Sequence, residues 1–464
     1  MTTDMTKGNV LRHILRFAVP TCFGMAFQQL YSLIDTMIVG KVLGVNQLAG
    51  VGATSSLFFI VIYFCIGICS GFSIPVASAF GSGNESEVRR YTANGTWLCV
   101  GSGIILTTVV CLLCRQMLIW LNTPEEIFSY AYIYIKIVFL GIPCTLLYNF
   151  VACIVKALGD SKTPLAFLAF SSVLNIVLDL LFLIPLGMDV EGAALATVIS
   201  QGVSGLICLF TIRKNFPILK FQKGDWRFRA SYAKKLGAVG YPMGLQYSIT
   251  GIGSLVVSWA VNGLGTTAVA GVTAAMKINY LITCPIEALG QTMAPYTGQN
   301  VGAGKLERIG DGLRKASFSG FIWAALCIPL IWFFGRPLSA LFLDEYSAEV
   351  IEYSFRYLMT TACGYCLLTL VNTVRFSIQG MGFSGFAMTS GVLEMLARSI
   401  AGGMITPLFG FAGICVSNVL AWIFADIFLL PAYLRCRNKL RHRSGGDGTP
   451  PAGSEPKYRR RLAG

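Results

Sequence analysis

The sequence is almost without histidine, since His13 and His442 are the only two in 464 residues. It is also poor in charged side chains, which make up 12% of the chain. Histidine is the most frequent catalytic acid or base and a common zinc ligand. No cluster of histidine, cysteine and aspartate and no phosphate-binding loop stands at a predicted membrane surface. These absences argue against an enzyme, and we expect no cofactor.

The fifteen cysteines do not indicate a disulfide framework or a zinc site. Nearly all of them lie within apolar stretches, including the two CxxC pairs, Cys111/Cys114 and Cys363/Cys366. A disulfide framework or a metal site would need cysteines in loops or beside histidines. We therefore expect reduced cysteines that act as small buried apolar residues.

Apolar residues are in excess, at 55% of the chain, which is too many for a soluble protein of this size. A helix needs about 20 apolar residues to cross a hydrocarbon layer of about 30 Å. Twelve runs of this kind predict an all-α integral membrane protein with twelve transmembrane helices in the lipid bilayer. The runs cover residues 14–38, 51–80, 94–114, 130–155, 164–185, 191–212, 236–261, 268–298, 316–334, 352–376, 384–405 and 411–434.

Lysine and arginine are distributed unevenly between the loops on the two sides of these runs. Segments 213–235 and 435–464 hold eight and nine of them, whereas the loops on the other side hold only Lys41, Arg115 and Arg336. Loops rich in lysine and arginine stay in the cytoplasm. We therefore expect a cell-membrane protein with both termini in the cytoplasm. Membrane orientation also explains the net charge of +14, and we predict no nucleic-acid partner.

The two halves of the chain repeat at an offset of 221 residues. The segment LGVNQLAGV at 43–51 matches LGTTAVAGV at 264–272. Six glycine pairs share the offset: Gly44/Gly265, Gly50/Gly271, Gly81/Gly302, Gly83/Gly304, Gly159/Gly380 and Gly192/Gly413. A parallel repeat predicts two six-helix lobes related by an axis along the membrane normal. The predicted parts are a cytoplasmic N-terminus (1–13), the first lobe (14–212), a basic linker (213–235), the second lobe (236–434) and a basic disordered tail (435–464).

A carboxylate, Asp35, lies well inside the first predicted span. Its insertion costs about 2.5 to 3.5 kcal/mol, so an ionisable residue at this depth indicates a functional site. Gln28 and Tyr31 are spaced to share its helical face. A polar stripe of this kind cannot face lipid and should line a packed bundle interior or a water-filled cavity.

Three further polar residues follow in the fifth and sixth spans. Asn175 and Asp179 are one helical turn apart, and Thr197 comes in the next span. If these spans pack with the first one, two carboxylates, an amide and a hydroxyl can bind Na⁺ or share a proton. A structural network between the helices would use the same residues.

The remaining candidates line a cargo path or allow helices to bend. Polar, aromatic and methionine side chains within the spans predict a soft cavity for organic cations. The cargo candidates are Met25, Gln28, Tyr31, Tyr148, Asn149, Gln246, Lys277 and Glu287. Pro20 and Pro242 recur in matching places and are the predicted hinges. Glu394 and Arg398, one turn apart, should form an internal pair, whereas Lys277 and Glu287 are too far apart to pair.

Residues 10–435 resemble the multidrug and toxic compound extrusion (MATE) transporters. The resemblance rests on PT...QQLYSLID..IVG in the first span, on GSGN (81–84) with QNVGAGK (299–305), and on VKALGDSKTP (155–164) with the Asn-x3-Asp of the fifth span. It implies two lobes that form a V, and export of organic cations against inward H⁺ or Na⁺. In the DinF-like branch, the residues matching Asp35, Asn175, Asp179 and Thr197 are the cation ligands.

The sequence departs from the NorM-like branch, which uses acids in the seventh and tenth spans. Here Gln246 and Asn262 lie near the seventh span in place of an acid, and the tenth span contains no acid. We therefore expect coupling in the first lobe of a monomeric antiporter, in which the carboxylates hold either the ion or the cationic cargo. A flippase for a lipid-linked precursor and an exporter of one metabolite are the alternatives. The substrates, the coupling ion and the stoichiometry stay open.

Overall fold

A computed structural model describes residues 2–342 and 347–445 of the chain. Within these ranges the chain forms helices and short connections, and no strand. The helices are α1 (Val10–Val42), α2 (Val45–Ala53), α3 (Ser55–Gly81), α4 (Glu85–Trp120), α5 (Glu125–Leu140), α6 (Ile142–Ala157), α7 (Lys162–Leu183), α8 (Val190–Asn215), α9 (Ala230–Asn262), α10 (Thr266–Gly302), α11 (Leu306–Ala340), α12 (Ala348–Cys363), α13 (Tyr365–Gly380), α14 (Ser384–Ile400), α15 (Thr406–Phe409) and α16 (Phe411–Gly445). A 3₁₀ turn at Pro217–Leu219 and a π-helical turn at Ala401–Ile405 complete the set.

The predicted all-α membrane fold is confirmed. Nine of the described helices are long and apolar enough to cross a membrane, and two bent pairs bring the number to eleven. The bends divide two predicted spans: α5 meets α6 at 48°, and α12 meets α13 at 53°. The predicted span 236–261 is helix α9, which is long enough but not apolar enough to count. Because α9 packs between α3 and α14, neighbouring helices shield its small and polar residues.

Each half of the chain has its own apolar core. The first core runs from Leu57 to Leu236 along the sequence, and the second runs from Val257 to Cys436. A third cluster joins the halves through the first part of α1, the first part of α9 and the last part of α10. The two lobes are therefore separate bundles that meet along these three helices and α3.

Equivalent glycines have equivalent roles in the two lobes. Gly44 and Gly265 precede α2 and α10 with φ angles of 104° and 95°, a region that glycine enters without strain. A methyl group at Gly50 would lie 2.7 Å from Cβ of Tyr130, and one at Gly271 would lie 2.7 Å from Cβ of Tyr353. The sequence repeat is therefore also a structural repeat.

The lobes touch most closely where α3 and α10 end, near many lysines and arginines. We call this side of the bundle the basic end. A methyl group at Gly81 would overlap the backbone of Gln299, and one at Gly302 would overlap the backbone of Ser78. Since residues 78 and 81 map onto 299 and 302 at the offset of 221, the crossing is symmetric. Only a residue without a side chain lets the two backbones approach so closely.

The segment before α1 also joins the lobes at the basic end. Met5 N–H donates to Gln299 Oε1 at 2.9 Å, and Gln299 Nε2 donates to Ala157 O at 2.9 Å. Lys305 Nζ donates to Thr6 O at 2.8 Å. The N-terminal segment is therefore held between the α6–α7 corner of the first lobe and α10–α11 of the second.

The motif at 155–164 forms that α6–α7 corner. Gly159 ends α6 with a φ of 83°, and Asp160 accepts hydrogen bonds from the backbone N–H of Lys162 and Thr163 at the start of α7. Burial raises the pKa of Asp160, but its hydrogen bonds with Thr163 lower it more, so the pKa lies below its ordinary value. The charged form of Asp160 therefore stabilises the start of α7.

The predicted linker and tail are more ordered than expected. Helix α8 continues to Asn215 and α9 begins at Ala230, so the linker is shorter than 213–235. It is also attached to α4, because Arg89 Nε donates to the buried Asp225 at 2.9 Å. Helix α16 continues to Gly445, so the prediction of disorder is wrong for 435–445. The rest of the predicted tail, 446–464, lies outside the described residues.

We expect Gly81→Ala and Gly302→Ala each to lower the melting temperature of the purified protein. The added methyl group must separate the backbones of α3 and α10, and overpacking of this kind costs about 1 to 3 kcal/mol. Gly385→Ala is the matched control, because nothing lies within 4 Å of its added methyl group. Unchanged melting of the two crossing variants would show that the lobes do not need this approach.

Candidate functional site

Four residues predicted from separate spans meet inside the first lobe. Asp35 comes from α1, Asn175 and Asp179 from α7, and Thr197 from α8. Asp179 and Asn175 are almost completely buried, at 0% and 1% exposure, whereas Asp35 is half-buried. We call these four residues the carboxylate cluster, and Asp35 is the more exposed of its two acids.

The Asn175 amide connects the cluster. With its nitrogen turned towards Asp179, it donates to Asp179 Oδ2 at 2.9 Å and to the Tyr31 hydroxyl at 3.3 Å, and its oxygen accepts from Thr197 N–H at 3.1 Å. With the opposite orientation, its nitrogen meets only Thr197 Oγ1, at 3.4 Å. The first orientation satisfies more hydrogen bonds, and amide orientation is assigned from such networks. We therefore use it below.

The two carboxyl groups lie within hydrogen-bonding reach of each other. One oxygen of each, Oδ1, is buried and has no donor among the described residues. A hydrogen bond between two carboxyl groups requires a proton on one of them, because two carboxylates can only accept. Neither group has a lysine or arginine of the described chain as an ion-pair partner. The cluster therefore needs a proton or a small cation to balance its charge.

Two tyrosines complete the cluster. Tyr31, predicted as a cargo residue, lies at the cluster, where its hydroxyl accepts from the Asn175 amide at 3.3 Å. Tyr134 of α5 lies beside Asp35 and Asp179 and was missed in the sequence. Nothing in the sequence near Tyr134 marks it, because it comes from an aromatic-rich helix that contains three tyrosines.

The second lobe buries charges that balance one another. The predicted pair is confirmed, with Arg398 Nη2 3.7 Å from Glu394 Oε2, and Arg375 of α13 forms a second ion pair with Glu394. Asp426 of α16 lies near Arg375, and neither of its buried oxygens has a donor among the described residues. Glu394 therefore has two arginine partners, in contrast to the acids of the carboxylate cluster, whereas Asp426 forms no ion pair within the described residues.

The other predicted cargo residues do not form one surface. Gln28 and Lys277 are exposed, and Lys277 Nζ lies 6.0 Å from the centre of the Phe342 ring. Glu287 is half-buried on α10. Met25 is buried in the contact between the lobes, where Gln291 Nε2 lies 3.7 Å from its sulfur.

Three other predicted cargo residues make contacts within their own lobe. Tyr148 packs against the apolar core of the first lobe, and Asn149 donates to the Thr145 carbonyl of its own helix at 2.8 Å. Gln246 is buried, and its Oε1 accepts from Gln379 at 3.2 Å.

The predicted hinges lie within unbroken helices. Pro20 is inside α1 and Pro242 is inside α9. The sharp bends instead fall at Gly141 and Gly364, between α5 and α6 and between α12 and α13. A hinge role for the two prolines therefore stays a prediction.

Comparison with known proteins relates the whole chain to one family. A sequence model of the MatE family matches residues 20–181 and 242–402. The chain is 30% identical over 432 residues to the probable multidrug resistance protein YpnP of Bacillus subtilis, which covers 91% of this chain and 94% of that protein. It is 24% identical over 369 residues to the FAD transporter of Shewanella oneidensis, covering 78% and 80% of the two chains.

A solved structure, the outward-facing conformation of a multidrug resistance MATE family transporter of the MOP superfamily, has the same fold. Its TM-score is 0.86 at 22% identity, and the alignment covers 96% of this chain and 100% of the other.

We expect Glu394→Gln to destabilise the protein by roughly 3 to 5 kcal/mol, because two buried arginines lose their shared carboxylate. Glu352→Gln is the matched control. Glu352 also joins two arginines, Arg336 and Arg356, but on the surface, where loss costs no more than about 1 kcal/mol. Thermal melting of both variants measures the difference, and equal melting would refute a structural role for the buried network.

Proposed function

Since this chain belongs to the MATE family of membrane transporters, we propose that it exports organic cations in exchange for H⁺ or Na⁺. The observation that carries the proposal is the carboxylate cluster, which holds the buried Asp179 and the half-buried Asp35 without a positive partner among the described residues. The similarity of the chain to relatives named for multidrug resistance supports a broad range of cargo.

The cluster has the chemistry of an exchange site for a small cation. An incoming proton or Na⁺ removes the uncompensated charge of Asp35 and Asp179, and so stabilises the helices that carry them. Asp35 provides the open side through which the ion enters. A membrane potential adds about 2.3 kcal/mol per 100 mV for each charge that moves inward. Ion entry can therefore drive the conformational change that moves the cargo against its own gradient.

The Asn175 amide supports a proton as the coupling ion. In the orientation that satisfies more hydrogen bonds, its nitrogen faces Asp179 and Tyr31, and a donor in this position stabilises a carboxylate without a metal. A sodium ion prefers oxygen ligands, so Na⁺ binding would require the amide to turn. The export experiment described below therefore compares H⁺ with Na⁺.

A narrower exporter is the second candidate, and the similarity to an FAD transporter favours it. A phosphate-bearing cargo would need cations along its path. Lys277 is the exposed cation of α10 that can serve this purpose. A flippase for a lipid-linked precursor would also need arginines in the cavity, whereas the first-lobe cluster presents acids.

We further propose that the basic end faces the cytoplasm, with both termini there, in a monomer of the cell membrane. The distribution of lysine and arginine supports this orientation. The lobes are closed at the basic end by the α3–α10 crossing and the N-terminal segment. In this orientation the structure represents a state that is closed to the cytoplasm.

We expect Asp35→Asn to abolish gradient-driven export of ethidium from proteoliposomes, because the variant can no longer exchange a charge at the cluster. Export by the unmodified protein is measured under an imposed pH gradient and, separately, under an imposed Na⁺ gradient. The gradient that supports export identifies the ion. FAD uptake under the same gradients tests the narrower exporter.

Asp311→Asn is the control for this experiment, because Asp311 forms a surface pair with Lys315 at 3.0 Å and should not affect export. Full export by Asp35→Asn would refute coupling at the cluster. Export of FAD without export of ethidium would replace the proposed cargo.

A further inference from the structure

We propose that a cavity at the basic end binds a phosphate group, carried by an anionic lipid headgroup or by a soluble phosphate compound, and that its occupant holds the N-terminal segment in place. We call this cavity, which is lined by residues 6–8, residues 304–308 and Arg441, the basic cavity. It is separate from the carboxylate cluster, and the inference goes beyond the proposed exchange of ion and cargo.

The basic cavity has a volume of about 760 Å³ and three walls. Residues 6–8 come from the segment before α1, residues 304–308 from the corner between α10 and α11, and Arg441 from the end of α16. Cavities of this size hold small-molecule ligands. Because the walls are far apart in the sequence, the basic cavity exists only while the N-terminal segment lies against α11.

Positive charge dominates the lining of the basic cavity. It includes four cations against one acid, which leaves three positive charges in excess. The cations are Lys7, Lys305, Arg308 and Arg441, and the acid is Glu307. A concave site lined by charge of one sign attracts ligands of the opposite sign.

Hydrogen bonds do not neutralise this charge. Lys305 Nζ donates to Thr6 O at 2.8 Å. Arg308 donates to the carbonyls of Met5 and Gly8 at 3.2 Å. All the described acceptors of both side chains are neutral oxygens, and neither cation forms an ion pair within the described residues. Both charges therefore remain uncompensated at the cavity wall.

Asp4 offsets only part of the charge, from outside the lining. Its Oδ2 lies 3.8 Å from Nζ of Lys7, and the two side chains are 47% and 80% exposed. An exposed pair of this kind contributes no more than about 1 kcal/mol. Even with Asp4 included, four cations face two acids, so the basic cavity keeps a positive charge.

The position of the basic cavity favours an anionic lipid headgroup as the source of the phosphate. Helices α10, α11 and α16 are long and apolar enough to cross a membrane, and the cavity lies where α10 and α16 end and α11 begins. Headgroups lie at the ends of spanning helices, and basic cavities between such helices bind anionic headgroups. Guanidinium and ammonium groups are suitable donors to phosphate oxygens.

An occupant of the basic cavity would also act on the N-terminal segment. Met5 of this segment is 1% exposed, and Lys305 and Arg308 hold the segment through its carbonyls. A ligand that binds only one arrangement of a protein shifts the equilibrium towards that arrangement. Phosphate binding should therefore favour the state that is closed at the basic end.

Binding of short-chain lipids to the purified full-length protein in a nonionic detergent tests the site. Dioctanoyl phosphatidylglycerol carries a net negative charge, dioctanoyl phosphatidylcholine has the same chains without net charge, and inorganic phosphate has no chains. We expect saturable binding of phosphatidylglycerol, about tenfold or more tighter than that of phosphatidylcholine. Binding of inorganic phosphate as tight as that of phosphatidylglycerol would keep the site and assign it to a soluble phosphate compound.

Lys7→Gln and Arg441→Gln each remove a charge from a different wall. Both residues are exposed, so the variants should fold. Each should weaken phosphatidylglycerol binding about fivefold, because a lysine or arginine near a charged membrane contributes about 1 kcal/mol. Arg435→Gln is the matched control, since Arg435 is an exposed cation of α16 outside the lining.

Two outcomes of the variant experiment would overturn the site. One is unweakened binding by both Lys7→Gln and Arg441→Gln. The other is equal weakening by Arg435→Gln, which would show general attraction to a basic surface. No saturable binding of any of the three probes to the unmodified protein would also reject the site.

Hydrogen exchange of the backbone amides of residues 2–9 measures the effect on the N-terminal segment. Saturating phosphatidylglycerol should slow this exchange about fivefold or more, because the ligand stabilises the attached segment. Linker residues 220–229, which lie outside the lining, are the internal control and should exchange at an unchanged rate. Binding without slower exchange of residues 2–9 would overturn the proposed hold on the segment.

Discussion

Two acids that share a buried site without a positive partner form the constraint on which the first lobe depends. Isolated carboxylates are costly in an apolar interior, and their cost falls only when hydrogen bonds and a counter-charge surround them. Asn175 donates a hydrogen bond to Asp179 and another to the Tyr31 hydroxyl, and Thr197 N–H holds the Asn175 oxygen. No described lysine or arginine provides the charge. The site is therefore complete only when it holds a proton or a cation, which is the property that an ion-coupled transporter requires.

The second lobe keeps the architecture of the first but has lost this property. The glycines at matching positions make the same close contacts, because backbone approach tolerates no side chain in either lobe. The buried charges, however, differ, because Glu394 is paired with both Arg375 and Arg398. An acid with two arginine partners has little need of an external ion. The repeat thus conserves the contacts that build a lobe while the polar chemistry of the two lobes differs.

How much could be predicted from the sequence depends on whether a feature is local. Asp35, Asn175 and Asp179 were identified because charged or amide side chains are rare in apolar helices, and helical spacing then indicates a shared face. Arg375 as the partner of Glu394 was not identified, because the two residues come from different helices. The bends at Gly141 and Gly364 were also missed, since the apolar runs continue across them. Helix α9 was predicted as a span because of its length. It is not apolar enough to count as a spanning helix, and its neighbours α3 and α14 shield it from lipid.

Helix α1 connects every part of the proposed cycle. Asp35 lies in its second half, Met25 contacts Gln291 of α10 near its middle, and the segment before it is hydrogen-bonded to Gln299 at the basic end. In the proposed cycle, ion binding at Asp35 acts on the contact between the lobes through the position of α1. Because α1 also begins at the closed end, a change in its position would act on the hydrogen bonds that hold that end shut.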